Sequence, residues 1–269
     1  MVAGSLENTH TFGVSSARRQ SVEWQEVPAE ERKRPKARSG RALVMLSGGE
    51  NSTIALFWAL HRFARIAALT FNHAHDHPLQ LESACKIADM AKIPLEIIPM
   101  GTLLQGFEPV LTAKAGEAKK NTGHNLATPC QEKMFIPGRH LLYFALAANR
   151  AGIMKHTHLV VGASRENIAG YPECQMAFIR QMTKTISAGL GRKIKIHAPL
   201  IHMDKAGAIL FGSRFPECMT AMQYTHTCCK DHHPPCGTCP ACLSRRRGFV
   251  MAGVEDPLCA TEHFLPKII

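Results

Sequence analysis

The chain has 269 residues, of which 45% are hydrophobic, and a formal net charge of +11. This length is enough for one domain of ordinary size with a buried core. No stretch reaches the roughly 18 uninterrupted apolar residues of a membrane span, and the N-terminus lacks the charged-then-apolar order of a secretory signal, so we expect a cytoplasmic protein. The positive charge favours a polyanionic ligand, which composition leaves open between a nucleotide and nucleic acid.

The predicted elements begin after a polar, basic N-terminal stretch. Residues 1–40 show no apolar periodicity and are interrupted by Pro28 and Pro35, which favours a flexible extension. An apolar run at 42–46 then predicts a strand that is buried on both faces. A glycine turn, a helical stripe from Ser52 to about Arg65 and a second strand at 66–71 follow it. This order is that of a β-α-β unit.

The same alternation continues along the chain. Helices are predicted near 81–91, 140–151 and 173–188, and strands at 95–98 and 158–161. The interval 101–131 has little pattern and is interpreted as a loop over the site. Alternating strands and helices predict an α/β fold with a doubly wound parallel sheet. We therefore expect an extension at 1–40, a main α/β domain at 41–220, and a small C-terminal segment at 221–269.

The turn after the first strand has the composition of a phosphate-binding loop. It leads from an apolar strand into a helix, whose N-terminal N–H groups and dipole attract phosphate. Two glycines let the backbone approach a ligand closely, while the lysine of a Walker-type loop is absent, so cleavage between the β- and γ-phosphates is not indicated. A plain tight turn is the alternative interpretation. The order Leu-Ser-Gly-Gly-x-x-Ser after an apolar strand resembles the pyrophosphate-binding loop of the PP-loop family, and this resemblance implies ATP as the ligand. The residues that it implies for ATP binding are Leu46, Ser47, Gly48, Gly49, Asn51, Ser52 and Thr53.

Five of the ten cysteines lie between positions 228 and 242, and such clustering favours a metal site over a disulfide framework. Two consecutive C-x2-C steps can present thiolates to one tetrahedral zinc ion, and four protein ligands leave no position for water, which predicts structural zinc. Cys229 is an alternative first ligand. The basic run 245–247 is interpreted as a solvated surface or as a face toward polyphosphate or a partner. The predicted ligands are Cys228, Cys236, Cys239 and Cys242.

Together with four further segments, these motifs resemble the QueC-type 7-cyano-7-deazaguanine synthases, a branch of the PP-loop ATP pyrophosphatases. The resemblance covers about Leu43 to Pro257, and the segments occur in the family's order. They are Ile136-Pro137-Gly138-Arg139, Gly170-Tyr171-Pro172-Glu173-Cys174, Pro199-Leu200-Ile201 with Lys205, and Cys236-Gly237-x-Cys239-x-x-Cys242 with Gly253-x-x-Asp256-Pro257.

The resemblance implies an enzyme that uses ATP to adenylate the carboxylate of 7-carboxy-7-deazaguanine, releasing pyrophosphate and then AMP. Attack by ammonia gives an amide, and a second activation gives the nitrile. The resemblance also implies Mg²⁺ and structural zinc, and a homodimer that requires neither membrane nor nucleic acid. Its implied catalytic residues are Asn51, Arg139 and Lys205. Its implied substrate contacts are Arg139, Glu166, Tyr171, Pro172, Glu173 and Phe178.

The chain departs from the family pattern in the phosphate loop and in the substrate stretch. Asn51 stands where the family has an aspartate, so a negatively charged group for magnesium is missing, although an amide oxygen can still coordinate a hard cation. Glu173 likewise replaces an aspartate. These departures leave two alternatives, a relative that joins the deazaguanine acid to a protein amine, as relatives beside antiviral genes are thought to do, and a catalytically silent nucleotide-binding module. A further candidate metal site consists of His73, His75 and His77.

Overall fold

The computed structural model describes residues 39–72, 78–100, 138–165 and 174–259. No helix within these ranges is both long and apolar enough to cross a membrane. The elements in chain order are β1 (Arg41–Met45), α1 (Glu50–Arg62), β2 (Arg65–Asn72), α2 (Pro78–Met90), β3 (Leu95–Pro99), α3 (Arg139–Ile153), β4 (His158–Val160), α4 (Met176–Gly189), β5 (Lys195–His197), α5 (Lys205–Gly212), α6 (Pro216–Met222) and α7 (Pro240–Ala252).

The described strands form a parallel sheet in the order β3-β2-β1-β4-β5. β1 lies at its centre, with Met45 opposite Leu69 of β2 and Val44 opposite Val160 of β4. The chain adds strands on one side of β1 first and on the other side afterwards, so the order reverses between β1 and β4. In open α/β sheets, ligands bind at the carboxyl ends of the strands at such a reversal. The predicted α/β fold with a doubly wound parallel sheet is confirmed.

Apolar layers cover both faces of the sheet. Alternate residues of β1 face opposite sides, so Ala42 and Val44 pack with α1, α2, α5 and α6, whereas Leu43 and Met45 pack with α3 and α4. Burial on both faces explains why the sequence of β1 is continuously apolar rather than alternating. The sheet therefore holds the turn after β1 on a rigid base.

Some elements differ from the sequence prediction. Helix α1 begins at Glu50 rather than Ser52, and the sequence prediction does not include β5, α5, α6 or α7. The buried residues of α7 include Cys242, Arg245 and Gly248, so its inward face lacks the apolar stripe that reveals a helix. The predicted extension up to residue 38 and the predicted loop at 101–131 lie outside the described residues.

Candidate functional site

The turn at Ser47–Gly49 joins β1 to α1 at the carboxyl edge of the sheet. Gly48 has a φ of +88°, and a Cβ at this position would overlap the carbonyl oxygen of Gln80, so glycine is required here. The hydroxyls of Ser47 and Ser52 share a hydrogen bond of 3.1 Å, and Ser52 Oγ donates to the Gly49 carbonyl at 2.9 Å. The serines thus close the turn over the N-terminus of α1, where unpaired N–H groups favour an anion.

The predicted ATP-binding residues around this turn differ in the exposure of their side chains. Ser47 is exposed, whereas the side chains of Leu46 and Thr53 are buried. The Thr53 hydroxyl donates to the Gly49 carbonyl at 2.9 Å, so it supports the helix from within. A contact between ATP and Leu46 or Thr53 would therefore involve their backbone, while Ser47 presents its hydroxyl directly.

Asn51 lies in the first turn of α1 and faces the end of β4. Its Nδ2 donates to Ser164 Oγ at 3.0 Å, and the backbone of Gly162 packs so closely on Asn51 that a Cβ there would lie 2.6 Å from the Asn51 carbonyl carbon. Asn51 Oδ1 is buried and accepts no hydrogen bond within the described part of the chain. The side chain thus lies at the β1–β4 reversal with a carbonyl-type oxygen that suits a hard cation.

We expect Asn51→Asp to leave folding intact and to make ATP binding more dependent on magnesium. The new carboxylate can still accept from the Ser164 hydroxyl, and its charge attracts a divalent cation that the amide attracts only weakly. Calorimetric titration with ATP, with and without Mg²⁺, measures the effect. Asn51→Ala removes the amide without adding charge and is the control. If neither variant changes ATP affinity or turnover, Asn51 lies outside the phosphate site.

Glu50, the first residue of α1, carries a buried charge that nothing in the sequence predicts. Its side chain is 2% exposed, and its carboxylate pairs with Lys205 Nζ at 3.2 Å and with Arg245 Nη1 at 3.3 Å. The Thr227 hydroxyl donates to Glu50 Oε1 at 3.1 Å. Burial alone would raise the pKa of Glu50, but the charges of Lys205 and Arg245 hold it at about 2. The carboxylate is therefore ionised at neutral pH and faces the interior.

The two predicted catalytic cations, Lys205 and Arg139, are each the first residue of a helix. Lys205 begins α5, and its ammonium group reaches the phosphate loop through Glu50. Arg139 begins α3 and stacks over the Tyr143 ring at 5.9 Å. Helix α3 packs on the face of the sheet opposite α1. The catalytic roles of both cations stay predictions.

Most of the predicted substrate stretch lies outside the described residues. Phe178 is half-buried on α4, and its ring lies 6.0 Å from that of Phe144 in the apolar layer that α3 and α4 form on one face of the sheet. Its contact with substrate stays a prediction. The candidates that lie outside the described residues are Glu166, Tyr171, Pro172, Glu173, His73, His75 and His77.

The cysteine cluster has the geometry of a metal centre. The four sulfur atoms lie within 4.8 Å of one another, and Cys236 Sγ is 4.0 Å from Cys242 Sγ. Tetrahedral Zn–S bonds of about 2.3 Å place two sulfurs roughly 3.8 Å apart, so the four residues fit a tetrahedral ion. Cys229 lies outside the group, which favours the adjacent Cys228 as the first ligand. The members are Cys228, Cys236, Cys239 and Cys242.

Hydrogen bonds within the cluster stabilise thiolate. The Cys239 N–H donates to Cys236 Sγ at 3.3 Å, and the Cys236 N–H donates to Cys228 Sγ at 3.4 Å. Burial tends to raise the pKa of Cys236, but hydrogen bonds from Thr238 and Cys239 hold it at about 5, whereas burial raises the pKa of Cys242. Four adjacent thiolates repel one another, so a cation is the group that would let all four ionise together.

Arg245 corrects the prediction that the basic run 245–247 faces solvent or polyphosphate. Its side chain is buried, whereas Arg246 and Arg247 are exposed. Nε and Nη2 donate to the two Asp256 carboxylate oxygens at 2.7 Å each. The acceptors of its other hydrogen bonds are Thr225 Oγ1, the Met222 carbonyl and Glu50 Oε1. Five donors with five acceptors allow this guanidinium to lie inside the protein.

A protein-family model described as "Queuosine biosynthesis protein QueC" matches residues 41–253, a range that contains both the phosphate loop and the four clustered cysteines. The chain belongs to the QueC family. The QueC match ends before Asp256, the carboxylate that pairs with Arg245. The family match therefore spans the described sheet and the four clustered cysteines.

Named relatives of this QueC chain agree with the family match. It is 36% identical over 217 residues to the 7-cyano-7-deazaguanine synthase of Laribacter hongkongensis, covering 81% of this chain and 93% of that protein. It is 33% identical over 220 residues to that of Chromobacterium violaceum, covering 81% and 92%. Among solved structures, a 4-thiouridine synthetase–RNA complex with bound ATP is 16% identical, with a TM-score of 0.45, covering 84% of this chain and 53% of that one.

Proposed function

We propose that this chain adenylates the 7-carboxylate of 7-carboxy-7-deazaguanine with ATP and forms a carbon–nitrogen bond at the activated carbon. The supporting observation is the phosphate loop, which exposes Ser47 beside the N-terminus of α1 in a chain related to 7-cyano-7-deazaguanine synthases. The loop has no lysine of the β,γ-cleaving type. AMP and pyrophosphate are therefore the proposed products.

The chemistry follows from the need for a leaving group. A carboxylate oxygen of the substrate attacks the α-phosphorus, and the α–β bridging bond breaks so that pyrophosphate departs with the electron pair. The N–H groups at the start of α1 and the Ser47 hydroxyl would hold that pyrophosphate. An amine then attacks the acyl carbon and loses a proton, and AMP leaves. Magnesium would offset the phosphate charge, and Asn51 Oδ1, in the first turn of α1, is a side-chain oxygen that could contact it.

The four clustered cysteines would hold zinc, which contributes folding free energy and leaves no coordination position for a reactant. The cluster is therefore proposed to be structural. The chain is further proposed to be cytoplasmic, as its sequence favours, and to be a homodimer, as the resemblance implies. Light scattering of the purified chain measures the oligomeric state.

The proposed reaction predicts AMP as the main nucleotide product. The full chain is incubated with ATP, Mg²⁺, ammonia and 7-carboxy-7-deazaguanine, and the nucleotides are separated by chromatography. Ser47→Ala should slow AMP formation by about 10-fold or more, because removing one preorganised donor at a charged site typically costs 10²–10³ in rate. ADP as the main product would contradict the mechanism, and binding of the acid no tighter than adenine would contradict the substrate.

The same mixture separates the alternative functions. Ammonia as the nucleophile gives a free amide or nitrile, whereas a protein amine gives a deazaguanine adduct that mass spectrometry detects on the protein. The presence of Asn51 in place of the family's aspartate motivates the test for a diverged reaction. A catalytically silent module would bind ATP without forming AMP under any of these conditions.

A further inference from the structure

The chain segments that carry the clustered cysteines contact the start of α1 at one buried carboxylate, that of Glu50. Thr227 immediately precedes Cys228, and its hydroxyl donates to Glu50 at 3.1 Å. Arg245 lies three residues after Cys242, one turn further along α7, and pairs with Glu50 at 3.3 Å. The two chain segments that carry the clustered cysteines therefore both contact the side chain of Glu50, and Glu50 is the first residue of α1.

Backbone contacts reinforce this junction. The His226 N–H donates to the Gly48 carbonyl at 3.0 Å, so the segment before Cys228 is hydrogen-bonded to the phosphate loop itself. Gly49 packs against Thr227, since a Cβ on Gly49 would lie 3.0 Å from Thr227 Cγ2. Any shift of the segment 225–228 would therefore move the two glycines that shape the loop.

The charges at the junction balance. Glu50 and Asp256 supply two negative charges, and Lys205 and Arg245 supply two positive ones, all in ion pairs of 2.7–3.3 Å. Because Glu50 is buried and pairs with two cations, its carboxylate cannot turn outward. It therefore cannot take over the role of the aspartate that the family has at the position of Asn51. Its contacts instead suit a residue that holds the first turn of α1 in place.

We infer that Glu50 is a positioning residue through which metal bound at the cysteine cluster sets the affinity of the phosphate loop for ATP. This inference rests on the proposed function. Metal that fixes Cys228 and Cys242 would keep Thr227 and Arg245 on Glu50, and Glu50 would then hold the N–H groups of α1 in the geometry that binds phosphate. Coupling between two binding sites is reciprocal, so ATP must strengthen metal binding by the same factor.

The test measures zinc affinity of the full zinc-loaded chain by competition with a chromogenic chelator, with and without saturating ATP. For the native chain we expect ATP to tighten zinc binding by about 5- to 50-fold, within the usual range of coupling between sites. Glu50→Gln keeps the shape and removes the charge, and it should reduce this factor to about 2-fold or less while still binding zinc.

A matched control is Glu96→Gln. Glu96 lies on β3 and forms an ion pair with Arg150, so this substitution also removes a paired glutamate charge. It should keep the native coupling factor. Thr227→Val is a second variant that removes only the hydroxyl donor to Glu50, and it should lower the factor partially. It serves as the test if Glu50→Gln does not fold.

The outcomes separate this inference from the function on which it rests. If calorimetry detects no ATP binding to the native chain, the proposed function is wrong and the inference falls with it. If ATP binds but zinc affinity is unchanged by it, the inference alone is overturned. The same holds if Glu50→Gln, or Thr227→Val where the former does not fold, retains the native coupling factor.

Discussion

Cys239→Ser is expected to release the metal and to unfold the C-terminal segment of the full chain. Cys239 is both a member of the sulfur cluster and the N-cap residue of α7, where its side chain makes no capping hydrogen bond. Because serine is itself a favoured N-cap residue, the substitution removes one metal ligand without weakening the start of that helix. Structural zinc contributes apparent free energies of about 10–16 kcal/mol in small zinc domains, so losing part of this energy is a large fraction of ordinary domain stability. Elemental analysis and thermal unfolding measure the two effects.

Cys85→Ser is the matched control for this substitution. Cys85 is half-buried on α2, and it lies outside the cluster. This variant should keep about one zinc per chain and nearly the native melting temperature. Stoichiometric zinc in Cys239→Ser would show that the ion is bound elsewhere or that the remaining three thiolates suffice. Loss of zinc from both variants would mean that substitution of any cysteine disturbs the site.

The parts of the fold that the sequence predicts are those with local signals. The continuously apolar strand at 42–46 and the glycine turn after it depend on neighbouring residues, and the structure confirms the parallel α/β sheet. The close spacing of the four cysteines brings the sulfur atoms together because short turns join them. In each case the interaction involves residues close in sequence, so composition and period carry the information.

The buried charge network has no such signal. Glu50 and Arg245 are 195 positions apart, and each resembles a surface residue when only its neighbours are considered. Arg245 stands in a run of three arginines, two of which are exposed, so charge patterning predicts solvent for all three. Only the tertiary fold brings the acceptors Asp256 and Thr225 to this guanidinium. The same reasoning explains why α7 is not predicted from an apolar stripe.

The structure also changes the interpretation of Lys205. The resemblance implies a catalytic cation, and Lys205 does lie beside the phosphate loop, but its ammonium group pairs with the buried carboxylate of Glu50. An ammonium group has three donors, so one bond to Glu50 leaves donors for a phosphate oxygen. Its positive charge is partly offset, however, and the net field at the loop depends on Arg245 and Asp256 as well. The loop, α5 and α7 therefore form one electrostatic unit.

Arg245→Leu is expected to destabilise the chain by about 3–5 kcal/mol, because it leaves Asp256 without its two 2.7 Å hydrogen bonds and removes one of the two cations that offset Glu50. Urea-induced unfolding measures this loss. Arg246→Leu is the matched control, since this neighbour is exposed, and it should change stability by no more than about 0.5 kcal/mol.

Arg245→Lys should fall between these two variants. A lysine keeps the positive charge but offers three donors from a single point, so it cannot reproduce the paired hydrogen bonds to Asp256 or reach all of the acceptors that the guanidinium contacts. If Arg245→Leu is as stable as Arg246→Leu, the buried network adds nothing to stability. Since the Arg245 guanidinium joins α7 to the first turn of α1, a lower stability of Arg245→Leu would instead show that this buried junction stabilises the fold.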